Sequence, residues 1–289
     1  MNTHLTPVDA PATVVNAQTQ LFAPALGIEP ARARVAGRRI LVVGAGQRPT
    51  AATDVYGNGR AMSVLFGHEG ASVACADIAL ASAQETVHLV QQTGAKAVAI
   101  EADVTRESSV ADMVRAAIAA LGGLDGVVIN VGIGNGKSLA DQTEANWDAV
   151  MNVNLRGHML VAKHAIAQLD VGGSIVFISS VASRSPMSRQ PAYEASKAAL
   201  SALCRAVALD GQPKGIRANV LSPGLMDTPL GREASSKRPN RAARPLPFGR
   251  QGTGWEVAYP ALFLLSHDAS YVNALDLVVD GGLTSGIVL

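Results

Sequence analysis

Tyr193-Glu194-Ala195-Ser196-Lys197 sets a phenol and an ammonium four residues apart. In a helix that spacing brings both groups onto one face. A free phenol, with a pKa of about 10, is a poor base at neutral pH. A neighbouring ammonium favours the phenolate, so proton exchange with an alcohol or carbonyl oxygen becomes feasible. Thirteen residues earlier, the apolar run Ile175-Val176-Phe177-Ile178 ends in Ser179-Ser180. A lone Tyr-x-x-x-Lys match is a common accident, so its weight depends on what surrounds it.

The surroundings alternate. Short runs rich in Val and Ile fall at Arg39–Val43, Ser72–Ala76, Ala97–Ile100, Gly126–Val131, Ser174–Ile178, Arg217–Leu221 and Leu277–Val279. Segments with helical spacing lie between them, such as Ala79–Thr93, Ser109–Leu121 and Trp147–Leu169. Strand and helix in this alternation predict a doubly wound, Rossmann-like α/β fold, with one parallel sheet covered on both faces in a single domain. The composition agrees, with 48% apolar residues, only 4% aromatic and 28 glycines in 289 residues. That apolar content excludes wholesale disorder. A net charge of +1 argues against nucleic-acid partners, which need clustered excess cation. No apolar run is long enough to span a membrane and no secretory signal opens the chain, so a cytoplasmic protein is expected. Cys75 and Cys204 are expected to be small core residues. Residues 1–36, with Pro7, Pro11, Pro24 and Pro30 and no sustained period, are expected to form an irregular arm, either packed or free, ahead of a catalytic domain at 37–289.

The first run, Ile40-Leu41-Val42-Val43, leads into Gly44-Ala45-Gly46, and Gly57-Asn58-Gly59 opens the next helical segment. Glycines between a strand and a helix let the backbone approach a pyrophosphate seated at the helix N-terminus. The second run ends in Asp77, an acid suited to the adenosine ribose hydroxyls and repulsive to a 2′-phosphate. NAD is therefore expected ahead of NADP. Arg48 and Arg60 are the cations that could favour NADP, and a helix cap is the structural alternative for Asp77.

Further motifs stand in order along the chain: Asn152-Val153-Asn154-Leu155-Arg156-Gly157, Ser222-Pro223-Gly224 and Leu277-Val278-Val279-Asp280-Gly281-Gly282. With the Gly-rich turn, Ser179-Ser180 and the Tyr-Lys pair, the sequence over roughly residues 38–282 resembles the single-domain branch of the short-chain dehydrogenase/reductase family. The resemblance implies an enzyme interconverting a secondary alcohol and a ketone by hydride transfer with a nicotinamide cofactor. Tyr193 would be the acid/base, Lys197 would lower its pKa and hold the nicotinamide ribose, Ser180 would orient the substrate oxygen, and Asn154 would support a water relay. Asp103 and Val104 would flank the adenine, Asn130 and Gly132 would carry the fourth-strand signature, and Pro223, Gly224 and Thr228 would line the nicotinamide. The family also implies a homotetramer built on the helices around Asn146–Gln168 and Ala192–Asp210. Two other classes stay open: a nucleotide-binding scaffold or sensor without turnover, and an enoyl reductase of a related branch, which generally spaces its Tyr and Lys farther apart.

Three departures from the family pattern are visible. Twelve residues separate Gly44 from Gly57 where the family usually has three, an insertion of nine within Gln47–Tyr56. This leaves Gly44, Gly57 and Gly59 as the matching glycines, with Gly46 beside them. Ile129 replaces the first polar residue of the fourth-strand signature, and Tyr271-Val272-Asn273-Ala274 replaces a usual Thr-Gly ending.

The substrate side is less defined. Its walls are expected at Ile133–Ser138, Val181–Pro191 and after Gly224. Residues 231–250 carry Arg232, Lys237, Arg238, Arg241, Arg244 and Arg250 against Glu233, a local charge of +5 that leaves −4 elsewhere. Such a segment is either a solvated loop or a lid that attracts an anionic small-molecule substrate. His158 and His164, six apart on a helix, are expected at the surface or an interface, and no metal site is expected.

Overall fold

The computed structural model describes residues 21–50, 55–185, 188–237 and 245–287. Seven of its strands are β1 (Arg39–Val43), β2 (Ser72–Asp77), β3 (Ala97–Glu101), β4 (Gly126–Ile129), β5 (Ser174–Ile178), β6 (Arg217–Pro223) and β9 (Asp276–Val279). They form one parallel sheet in the order β3-β2-β1-β4-β5-β6-β9. Each run expected as a strand is a strand of this sheet, and the fold is the doubly wound, Rossmann-like one. Two short strands, β7 (Met226–Asp227) and β8 (Gly252–Thr253), pair separately.

Alternation along β1 shows why both faces are covered. Leu41 and Val43 point into one core with α4 (Glu107–Leu121), α6 (Gly157–Gln168) and α7 (Pro191–Gly211). Ile40 and Val42 point into the other, with α2 (Asn58–His68), α3 (Leu80–Gln92) and α9 (Gly254–Leu265). Helix α8 (Pro229–Ser236) follows β7 beyond the strand ends. Strand order reverses between β1 and β4, which opens a crevice at their C-terminal ends.

The structure departs from the expected elements at two places. The segment Trp147–Leu169 is not one helix: α5 (Glu144–Met151) passes into a π-turn, Asn152–Arg156, before α6. His158 is not at a surface, since its side chain is wholly buried against Phe177 with ring centroids 6.2 Å apart. Within the arm, residues 21–36 pack on the body, while residues 1–20 lie outside the described residues. A one-turn helix, α1 (Ala23–Leu26), ends at Gly27, where a side chain would strike the Trp255 ring at 2.4 Å. Thr253 Oγ1 donates to the Ala25 carbonyl at 2.8 Å, and Arg34 pairs with Glu69 at 2.9 Å. Both cysteines are buried as expected, and burial pushes each thiol up to about 12.

Arg39, at the start of β1, ties three elements together. Its backbone N–H and guanidinium donate to Asp125, just before β4, at 2.7–2.8 Å, and the guanidinium also pairs with Asp170 at 2.5 Å. Burial alone would raise the Asp125 carboxyl, but the bonds from Arg39 outweigh it and hold the group below the usual range. A carboxylate with a lowered folded-state pKa stabilises above its unfolded pKa and loses that contribution as pH falls. Asp125→Asn is therefore expected to cost about 1–3 kcal/mol at neutral pH. Urea unfolding of both proteins should show the gap closing as the solution is acidified through the carboxylate range.

Candidate active site

Tyr193 stands in the first turn of α7, where Pro191 occupies a position needing no N–H donor. One turn on, Lys197 turns inward and is only 4% exposed. Its Nζ lies 5.9 Å from the Tyr193 ring centroid and donates to the carbonyls of Ile178, the last residue of β5, at 2.9 Å and of Val131, two residues beyond β4, at 3.5 Å. Burial lowers the ammonium to about 7, because desolvation disfavours the charged form. Gly132 makes this approach possible: a Cβ there would sit 3.2 Å from Nζ.

The other two candidate catalytic residues converge on the same end of the sheet. Ser180 caps a 3₁₀ turn, Val181–Ser183, its Oγ accepting from Ala182 N–H at 3.2 Å. Asn154, buried inside the π-turn, accepts from Ile133 N–H at 2.8 Å and donates to the Ile133 carbonyl at 2.9 Å. Its amide also donates to Ser196 Oγ at 3.1 Å, and Ser196 Oγ donates to the Tyr193 carbonyl at 2.7 Å. Ser179 Oγ donates to the Lys197 carbonyl at 2.9 Å. The supporting roles of Ser179 and Ser196 are visible only in three dimensions, since a small hydroxyl residue in a helix or after a strand carries no distinguishing pattern.

The Gly-rich turn builds a cradle at the β1–β4 crevice. Gly44 has φ +81°, and its carbonyl accepts from Asn130 Nδ2 at 2.8 Å. Gly59 in α2 faces that carbonyl so closely that a Cβ would lie 1.9 Å from it. Gly46 N–H donates to Asp77 Oδ2 at 2.9 Å, while Asp77 Oδ1 accepts from Ala79 N–H at 3.1 Å. Asp77 is not the cap of α3, because Ala79 holds that position. Asn58 Oδ1, in the first turn of α2, is buried and has no hydrogen-bond partner among the described residues. This orphaned polar atom, the glycine-lined backbone and the helix N-terminus suit a dinucleotide.

Gln47 closes the insertion. Its side chain accepts from Gly57 N–H at 2.7 Å and donates to the Val55 carbonyl at 3.2 Å. Ser82 Oγ accepts from Gln47 N–H at 2.7 Å. Residues 51–54 lie outside the described residues. Nothing in the sequence singled out Gln47 or Ser82.

The remaining candidates lie around the same edge. Beyond β3, Asp103 accepts from the Thr105 N–H at 2.9 Å and hydroxyl at 2.7 Å, which hold its carboxyl below the usual range. Val104 is buried against Gly157, where a Cβ would meet it at 2.8 Å. Pro223 ends β6, Gly224 N–H donates to the Val279 carbonyl at 2.9 Å, and Thr228 caps α8 through Gly231 N–H at 3.0 Å. In the basic segment, Arg232 pairs with Asp227, Lys237 with Glu233 and Arg250 with Glu256. Arg238, Arg241 and Arg244 lie outside the described residues.

Fold and site together define a dinucleotide-binding oxidoreductase. A family profile described as enoyl-(acyl carrier protein) reductase matches residues 52–284. The chain is 36% identical to a 3β-hydroxysteroid dehydrogenase of Eggerthella lenta, over 79% of this chain and 90% of that one. It is also 36% identical to a cis-4-hydroxycyclohexanecarboxylate dehydrogenase of Sinomonas cyclohexanicum, over 79% and 93%. The solved structure of levodione reductase superposes with a TM-score of 0.79 at 29% identity, covering 87% of this chain and 99% of that one. The chain belongs to the short-chain dehydrogenase/reductase family, whose dehydrogenases use nicotinamide cofactors and act on small molecules. No helix among the described residues is long and apolar enough to cross a membrane.

The cradle separates glycines that the sequence presents alike. Gly59→Ala drives a methyl into the Gly44 carbonyl, whereas Gly57 has φ −67° and a Cβ there would meet nothing closer than 3.6 Å. NADH titration by fluorescence is expected to show binding lost in Gly59→Ala and retained in Gly57→Ala. Lys197 yields a second test. Its folded-state pKa lies below its unfolded one, so the unfolded chain binds the extra proton between about pH 7 and 10.5, and burial of the ammonium costs most stability below that window. Cofactor-free Lys197→Met is expected to melt a few degrees above the parent at or below neutral pH. Thermal melts at rising pH should show that advantage shrinking.

Proposed function

We propose that this chain is an NAD-dependent dehydrogenase that interconverts a cyclic secondary alcohol and its ketone, with Tyr193 as the acid/base. The observation that carries this is Tyr193 one helical turn from an ammonium buried against the sheet carbonyls. The positive charge of Lys197 favours the phenolate, and Tyr193 takes the hydroxyl proton as an alcohol is oxidised and returns it in reduction. Ser180 holds the substrate oxygen in line with that phenol. Asn154 fixes the backbone beside Lys197 and supports the exit of the proton towards solvent. A bound nicotinamide supplies the hydride acceptor; the chain supplies position and charge.

Gly44, Gly46, Gly57, Asn58 and Gly59 would hold the pyrophosphate, Asp103, Val104, Asn130 and Gly132 the adenosine and central part, and Pro223, Gly224 and Thr228 the nicotinamide. Asp77 would accept from the ribose hydroxyls. NAD is favoured over NADP because Arg48 is paired with Glu233 and Arg60 with Glu85. The four-residue spacing of Tyr193 and Lys197 favours carbinol chemistry over enoyl reduction. A cyclic substrate is suggested by the names of the steroid and cyclohexane-carboxylate dehydrogenases. The catalytic unit is residues 37–289, with 1–36 as its arm. Exposed Met159 on α6 and Leu209 on α7 suit a homotetramer assembled through those helices in the cytoplasm.

Oxidation of cyclohexanols and hydroxysteroids, followed by NADH absorbance, is expected with NAD and to be much slower with NADP. Tyr193→Phe should bind NADH as the parent does yet turn over about 10²–10⁴-fold more slowly. Undiminished turnover in that variant would remove Tyr193 from its role, and NADH binding without turnover across the panel would point to a sensor.

A further inference from the structure

Among the described residues, His158 is the one buried titratable group beside the candidate active site to which the proposed chemistry assigns no part. It lies just beyond the π-turn and is wholly buried. Its ring lies at 21° to that of Phe177 on β5. Neither ring nitrogen closes a hydrogen bond among the described residues. The polar groups that face them are the backbone of Val153, inside the π-turn, and that of Ile129, the last residue of β4. Lys197, from α7, is the one titratable group among the described residues whose charge acts on the ring.

These neighbours give the position its meaning. Val153 directly precedes Asn154, and Ile129 directly precedes Asn130. The first asparagine holds Ile133 beside Lys197, and the second holds the Gly44 carbonyl. The ring is therefore wedged between the backbone of the catalytic side and the backbone of the dinucleotide cradle. An apolar side chain would fill this space without placing two polar nitrogens in the core, so burial of an imidazole here is a cost that packing does not explain. Burial and the Lys197 charge both disfavour a second proton. A neutral imidazole has one N–H to offer to two backbone carbonyls.

We infer that His158 is a positioning residue: its imidazole braces the π-turn carrying Asn154 against the C-terminal end of β4, and so fixes Asn154 and Lys197 relative to the cofactor cradle. The inference rests on the proposed dehydrogenase reading. It acts through Asn154, and His158 touches neither substrate nor cofactor.

The test compares His158→Phe, which keeps the stack on Phe177 but removes both nitrogens, with His158→Gln, which keeps an N–H. His158→Phe is expected to lower kcat about tenfold or more while KM for NAD changes little. His158→Gln should recover most of that loss. In ¹⁵N-labelled full-length parent, the His158 ring should remain a neutral tautomer through the range in which a free histidine titrates, and in Lys197→Met it should titrate at higher pH. Parental kcat in a folded His158→Phe, even with a lower melting temperature, would reduce His158 to a packing residue. A ring that titrates near its ordinary value in both the parent and Lys197→Met would overturn the inference as well. Should His158→Phe fail to fold, kcat of His158→Gln and the ring resonances decide, with a kcat loss in His158→Gln as large as tenfold counting against it. A parent without turnover on any alcohol would instead overturn the dehydrogenase reading, leaving the ring resonances to decide the neutral brace.

Discussion

The Lys197 ammonium must lie out of water at the end of the sheet, and much of the local structure answers that requirement. An isolated buried ammonium is expensive, and the group discharges unless polar partners face it. Here the partners are the carbonyl of Ile178, the last residue of β5, and that of Val131, two residues beyond the end of β4. Gly132 leaves room for the side chain, and Ser179 pins the Lys197 backbone to the strand that supplies one of the carbonyls. Burial lowers the ammonium to about 7, because desolvation disfavours its charged form. The Tyr193 ring lies one turn away, its centroid 5.9 Å from Nζ.

A second constraint meets the first at the β1–β4 crevice. Helix α2 approaches the end of β1 so closely that Gly59 must lack a side chain, and Asn130 locks the Gly44 carbonyl from the β4 side. The same stretch, Asn130 to Ile133, therefore tethers the cradle at one end and Asn154 at the other. This explains how nine extra residues are accommodated without loss of the cradle. Lengthening a loop costs little entropy once its ends are fixed. Gln47 fixes them, with one amide engaging both Val55 and Gly57.

Charge is organised locally rather than by totals. Arg48 and Lys237 both pair with Glu233, Arg60 with Glu85, Arg232 with Asp227 and Arg250 with Glu256. The described cations of the basic segment are thus matched with carboxylates, two of which, Asp227 and Glu256, lie outside it in sequence. The more exposed of these, such as Arg232–Asp227 and Lys237–Glu233, contribute little to stability. At the Gly-rich turn itself, the charged side chain bonded to the backbone is that of Asp77, through Gly46 N–H.

The strands, the doubly wound order and the Tyr193–Lys197 pair were legible in the chain itself, because buried parallel strands need continuous apolar runs and a helix repeats every turn. Asn154, Ser180 and the cradle glycines were legible only as an ordered set of motifs. What sequence could not hold is depth. Helical spacing placed Trp147–Leu169 on one helix and His158 at a surface or an interface, but the extra residue of the π-turn rotates α6 relative to α5, and His158 is buried inside the fold. Likewise Gly57 and Gly59 read alike in the chain, and only the distance to the Gly44 carbonyl tells them apart. Periodicity is a local property, so the sequence alone determined the elements and the chemical groups they carry. Contact between residues far apart along the chain is set by packing, so only the tertiary structure decided which of those groups are dry, which are paired, and which support the rest.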